Sequence, residues 1–86
     1  MILTAVATGT DVAFTVSSNP GTATVKVSRF LGTNESRSFT DVATIVGDGS
    51  STVSGMTAGA YLAVAVSGST ISEPIVFQAR NESDAL

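Results

Sequence analysis

The chain contains no cysteine, no histidine and no tryptophan. Without cysteine there is neither a disulfide framework nor a thiolate metal site, so stability has to come from packing and backbone hydrogen bonds. Without histidine or cysteine, Ser-His-acid and Cys-His nucleophile systems cannot be assembled. A Ser–Lys pair would have to use Lys26, the single lysine, which alternation sets on a strand face opposite Val25 and Val27, the position of a solvated lysine. The carboxylates are Asp11, Glu35, Asp41, Asp48, Glu73, Glu82 and Asp84; they are scattered, and no two within a predicted strand are spaced to share a face. The residues do not favour an enzyme.

Charge is also scarce. Charged residues make up 13 % of the chain, against roughly 25 % in ordinary soluble domains, so Ser and Thr must supply most of the polar surface. Net charge is −3 and the basic residues are Lys26, Arg29, Arg37 and Arg80. That is too few for the electrostatic footprint of a nucleic-acid binder. No apolar run approaches the ~18 residues of a membrane span. The start, MILTAVATGTD, lacks a basic region and is broken by Thr4, Thr8 and Gly9, so it does not read as a signal peptide. Synthesis in the cytoplasm without a leader is the expectation. The loop GDGS (47–50) offers one carboxylate, whereas calcium takes six to eight oxygens, so it reads as a tight hairpin turn. No metal or cofactor is expected.

What is present is a period of two along nearly the whole chain. ILTAVAT (2–8), DVAFTVS (11–17), ATVKVSRF (23–30), RSFTDVATIV (37–46), STVSGM (51–56), AYLAVAVS (60–67) and PIVFQAR (74–80) all alternate or are rich in β-branched residues. Turn formers separate them, including NPGT (19–22), where Pro20 and Gly21 predict a type II turn, GTNES (32–36) and GSTIS (68–72). Seven strands with turns every 8–12 residues predict a single antiparallel β-sandwich over 1–80, with a polar tail at 81–86. No window supports an amphipathic helix.

The segment MTAGAY (56–61) resembles the E–F corner of fibronectin type III and related immunoglobulin-like domains. There a hydrophobic residue and a Gly-containing corner precede a Tyr that opens an alternating strand. SEPIVF (72–77) is similar to the Ser-x-Pro segment that leads into the last strand of such domains. The resemblance implies an immunoglobulin-like sandwich in which the Tyr61 hydroxyl bonds back to the corner near Gly59. It also implies that Phe14 fills the core position that a Trp holds elsewhere. The chain departs from the pattern in having Ala63 and Ala65 after Tyr61 where Val is usual.

Strand 60–67 has two apolar sets, Leu62, Val64 and Val66 on one parity and Tyr61, Ala63 and Ala65 on the other, and only one can face the core. An inward Tyr61 turns Leu62, Val64 and Val66 outward; the reverse leaves a flatter outer face of Tyr61, Ala63 and Ala65. Either face is free of charge, and is either covered by a flanking segment or is a protein–protein interface. Lys26, Arg29 and Arg37 with Phe30 are candidates for a small basic-aromatic patch that contacts a partner, or are ordinary surface charge. A small, Ser/Thr-rich sandwich without cysteine resembles bacteriophage virion accessory domains, such as capsid decoration or tail-associated modules. That likeness implies a structural role, a location in the virion, and a partner that is a capsid or tail protein, a second copy of the chain, or both. Neither nucleic acid nor membrane is an expected partner. The rival expectation is a surface module that binds carbohydrate or protein.

Overall fold

A computed structural model describes residues 1–29 and 39–80. The expectations for Phe30, Arg37 and the 81–86 tail lie outside the described residues. The described residues form eight strands: β1 (Ile2–Thr8), β2 (Asp11–Ser17), β3 (Thr22–Arg29), β4 (Thr40–Val46), β5 (Gly49–Val53), β6 (Gly59–Ser67), β7 (Thr70–Ile71) and β8 (Ile75–Ala79). One sheet has the order β1-β2-β5. The other runs β4-β3-β6-β7, with β8 also paired to β6. All pairings are antiparallel, and the two sheets pack face to face as a β-sandwich.

Alternation explains which side chains meet between the sheets. Leu3 from β1 and Val12, Phe14 and Val16 from β2 point inward from the smaller sheet. Ala23, Val25, Val27, Ile45, Tyr61, Ala63, Ala65, Phe77 and Ala79 meet them from the larger one. Phe14 is fully buried and sets its ring edge against Phe77 at 5.4 Å and 80°. Its burial agrees with the expectation that it packs in the core.

Two of the turns differ from their expected form. Gly47 has a positive φ of 63°, yet the GDGS loop is not a hairpin, because β4 and β5 belong to different sheets. The loop is a crossover between layers. In the 19–22 turn, Gly21 does not have positive φ; Ser18 does, at 53°. The reason is Asn19, whose Oδ1 accepts the Gly21 N–H and closes a local Asx turn. The Asn19 Nδ2 also donates to the Ile45 and Gly47 carbonyls at 3.1 and 2.8 Å. Gly47 N–H returns to the Gly21 carbonyl at 2.8 Å, and Asn19 N–H donates to Asp48 Oδ1 at 2.9 Å. One side chain thus clasps both crossovers at one end of the sandwich.

The segment 68–72 is more than a turn. After Gly68 and Ser69 the chain resumes pairing at β7, against Val66 and Ser67. Where the ladder then breaks before Pro74, buried Ser72 stands in for it. Its Oγ accepts the Ala65 N–H at 2.8 Å, and its own N–H donates to the Ala65 carbonyl at 2.9 Å. Ser72 thereby satisfies backbone groups of a central strand that would otherwise be buried unpaired.

Removing the Asn19 clasp tests this account. Asn19→Ala deletes three side-chain bonds and leaves partly buried carbonyls without a donor, so stability should fall by about 2 kcal/mol. In a domain of this size that is a drop in Tm of roughly 8–15 °C, to be read from thermal unfolding followed by circular dichroism.

Candidate functional site

The parity question has a definite answer. Tyr61, Ala63 and Ala65 are buried between the sheets, and Leu62, Val64 and Val66 lie on the outer face, each half-buried. Tyr61 decides it. Its hydroxyl donates to the Thr57 carbonyl at 2.6 Å, and its ring stacks on Phe77 at 5.3 Å and 13°. The corner bond implied by the resemblance at MTAGAY is formed.

Gly59 begins β6 with φ at +147°, a conformation that L side chains rarely adopt. A Cβ there would also fall 2.6 Å from Arg29 Nη2. The close approach exists because Arg29 lies with its guanidinium carbon 5.3 Å from the Tyr61 ring centroid, a cation–π contact at the mouth of the core. Arg29 pairs in register with Tyr61 and shares the inward parity of Val25 and Val27. It therefore covers the core's end and does not sit beside Leu62, Val64 and Val66. Grouping it with Lys26 in one patch is corrected by this parity, since residues three apart on a strand face opposite sides.

Lys26 does belong to the outer face. It is paired in register with Val64 on one side and Asp41 on the other, and its Nζ lies 2.6 Å from Asp41 Oδ1. Asp41 is mostly exposed and Lys26 about one-third exposed, so both reach water, and such a pair contributes about 0–1 kcal/mol. The strand registers lay out the rest. Thr44, Thr24, Val66 and Ile71 form one row, Asp41, Lys26 and Val64 the next, and Ser28, Leu62 and Val76 the third. The face is divided lengthwise. Its β3–β4 half is mostly polar, with Val46 at 78 % exposure as an apolar exception at its end, and its β6–β8 half is apolar, with Ile71 at 64 % and Val76 at 57 % exposure. Ile71 and Val76 were not among the sequence candidates; β7 was read as a turn, and Val76 acquires its place only through pairing with Leu62.

The outer face of the smaller sheet is different. Thr4, Thr15, Ser50 and Thr52 dominate it, with Thr15 Oγ1 and Ser50 Oγ 2.8 Å apart. Tyr61, Phe14 and Phe77 are all buried, which leaves Phe39 as the exposed aromatic among the described residues. Those residues hold no group of three or more Asp or Glu side chains placed to share a metal ion. Among the described residues no helix is long and apolar enough to cross a membrane. The chain matches no protein-family model, and no curated protein or solved structure matches it significantly.

The corner predicts its own test. Tyr61→Phe keeps the ring stack and strands the Thr57 carbonyl, so stability should fall by about 1–2 kcal/mol without loss of the fold. Urea unfolding with an unchanged m-value would show this.

Proposed function

We propose that the chain is a non-enzymatic interaction module of immunoglobulin-like type that docks on a larger protein scaffold through the outer face of β6. The observation that carries the reading is the continuous apolar row of Leu62, Val64 and Val66, widened by Ile71 and Val76. The inner face of β6 is built from Ala63 and Ala65 with Tyr61, so the larger aliphatic residues of the strand serve no purpose in the core. Monomeric proteins seldom leave contiguous apolar surface of more than a few hundred Å² to solvent. The strand order and the Tyr61–Thr57 bond support the immunoglobulin-like assignment. The lack of histidine and cysteine supports a role without catalysis.

The scaffold we favour is a bacteriophage capsid or tail protein, with the chain as a virion accessory domain. Low charge, a Ser/Thr surface and stability without disulfides support that setting. A carbohydrate-binding role is disfavoured because sugar platforms present exposed aromatic rings, and three of the aromatic residues are in the core.

Val64→Lys tests the docking face. Val64 points outward, so the variant should stay folded, losing no more than about 1 kcal/mol because its ammonium stands opposite Lys26, while binding to the scaffold is lost. A variant that unfolds would return Val64 to the core, and unchanged binding would move the interface elsewhere. Mass spectrometry of purified virions tests the setting; absence of the polypeptide from them ends the virion reading.

A further inference from the structure

Aspartate followed by glycine is among the peptide junctions most prone to cyclise, because a glycine amide has no side chain to hinder attack on the neighbouring carboxyl. Asp48–Gly49 is the single such junction in the chain, and there is no Asn–Gly; Asp11 and Asp41 precede valine and Asp84 precedes alanine. The fold does not ask for glycine at position 49. Gly47 has φ at 63°, whereas Gly49 is not in the left-handed region, and a Cβ there would make an ordinary 3.7 Å contact with Ile45 Cγ2. Asp48 itself is exposed, on the crossover between the sheets.

Both groups that would react are held. Asp48 Oδ1 accepts the Asn19 N–H at 2.9 Å, which ties the carboxylate to residue 19. The Gly49 amide is placed by the ladder. Thr8 and Asp11 flank the Gly9–Thr10 loop, so odd-numbered residues of β2 turn their backbone groups to β1 and even-numbered ones to β5. The Thr10 carbonyl agrees with this parity, since it accepts the N–H of Met56, just beyond β5, at 3.0 Å. Val16 therefore exchanges backbone bonds with its register partner Gly49, whose N–H is committed to the Val16 carbonyl. This is the first pair of the β5 ladder, where pairing opens most readily. The loop before it is steadied by Asn19, whose Nδ2 holds the Ile45 and Gly47 carbonyls.

We propose that Asp48–Gly49 is a covalent modification site, held unreacted by the Asn19 clasp and converted to isoaspartate when the clasp opens. In the open state the Gly49 nitrogen attacks Cγ of the protonated Asp48 carboxyl. A C–N bond forms, the C–O bond to the carboxyl hydroxyl breaks, and that hydroxyl leaves with the amide proton as water, closing a succinimide. Water then adds to the Asp48 main-chain carbonyl carbon and breaks its bond to the Gly49 nitrogen, which regains a proton; addition at Cγ restores aspartate instead. The isoaspartyl backbone runs through Cβ and Cγ, with a free carboxylate on Cα and no change in mass. Water is the one co-reactant. The added methylene falls between Gly47, whose N–H is bonded to the Gly21 carbonyl at 2.8 Å, and Gly49, paired with Val16. The longer backbone cannot keep both spacings, so conversion holds the clasp open. The site lies away from the outer face of β6 and stands or falls separately from the docking reading.

The test is incubation at neutral pH and physiological temperature, folded and in denaturing urea. Isoaspartate at residue 48 is read as a peptide of unchanged mass and shifted chromatographic retention that resists endoproteinase Asp-N. The denatured chain should convert, and the folded parent at least about tenfold more slowly. Asn19→Ala should convert several-fold faster than the parent while circular dichroism shows it folded. Asn19→Ser, which keeps a local acceptor for the Gly21 N–H, serves the same purpose with a smaller loss of stability. Tyr61→Phe weakens the other end of the sandwich and should convert like the parent, which separates opening of the clasp from global unfolding. Gly49→Ala should fold as the parent does and form almost no isoaspartate even in urea. The converted parent, once separated, should melt below the unconverted one. The proposal is overturned if the folded parent converts as fast as the denatured chain, if neither folded Asn19 variant outpaces Tyr61→Phe, or if the converted form melts with the parent.

Discussion

The setting of Tyr61 fixes most of what surrounds it. Its ring is stacked on Phe77 and its hydroxyl is bonded to the Thr57 carbonyl, so it cannot turn outward without losing both. Side chains alternate along a strand, and β6 pairs with β3, β7 and β8. The parity of one residue is thereby passed to three neighbours. Val25, Val27, Phe77 and Ala79 go inward with it, while Lys26, Ile71 and Val76 go outward. A slip by one residue would carry the Lys26 ammonium into the core, where an unpaired charge is very costly.

Volume supports the same parity. Ala23, Ala63, Ala65 and Ala79 are buried in the larger sheet, in the same core cluster as the rings of Phe14, Phe77 and Tyr61. Replacing Ala63 and Ala65 by the valines next to them would add methyl groups to a filled interior, which costs about 1–3 kcal/mol by overpacking. Burial by residue type alone favours the opposite arrangement, with the valines inside. Aromatic packing overrides it here, and the surplus aliphatic face follows as a consequence of the core.

Strand positions and the Tyr61 corner were legible in the sequence because both are local signals: a period of two, and a hydroxyl four residues from its acceptor. The crossovers were not. Whether GDGS closes a hairpin or switches sheets depends on which edges β3 and β2 have already taken from β4 and β5, information spread over the whole chain. Asn19 was visible as a turn former, but its hold on Ile45, Gly47 and Asp48 spans more than twenty residues. Ser72 has no local pattern that marks a side chain replacing a ladder bond. The separation of Arg29 from Lys26, by contrast, was available from alternation alone, and grouping residues by charge obscured it. On the outer face, Leu62, Val64 and Val66 could be read as one set, whereas Ile71 and Val76 needed the register of two further strands.

If the outer face docks a partner as proposed, the ion pair between Lys26 and Asp41 constrains how it does so. It sits in the row of Val64, and both side chains are hydrated where they stand. Covering the pair completely would remove that water, and the attraction between the two charges seldom repays the loss. Contact is favourable instead on the side of Val64 away from Lys26, where Val66 with Ile71 and Leu62 with Val76 present aliphatic surface without charge. The pair then remains at the rim, neutral as a unit, and a misplaced partner that buried it would be penalised. A flat apolar strand face has little to define the position of a partner by itself. For the docking proposed above, the charged row beside it would supply that definition at little cost to the stability of the fold.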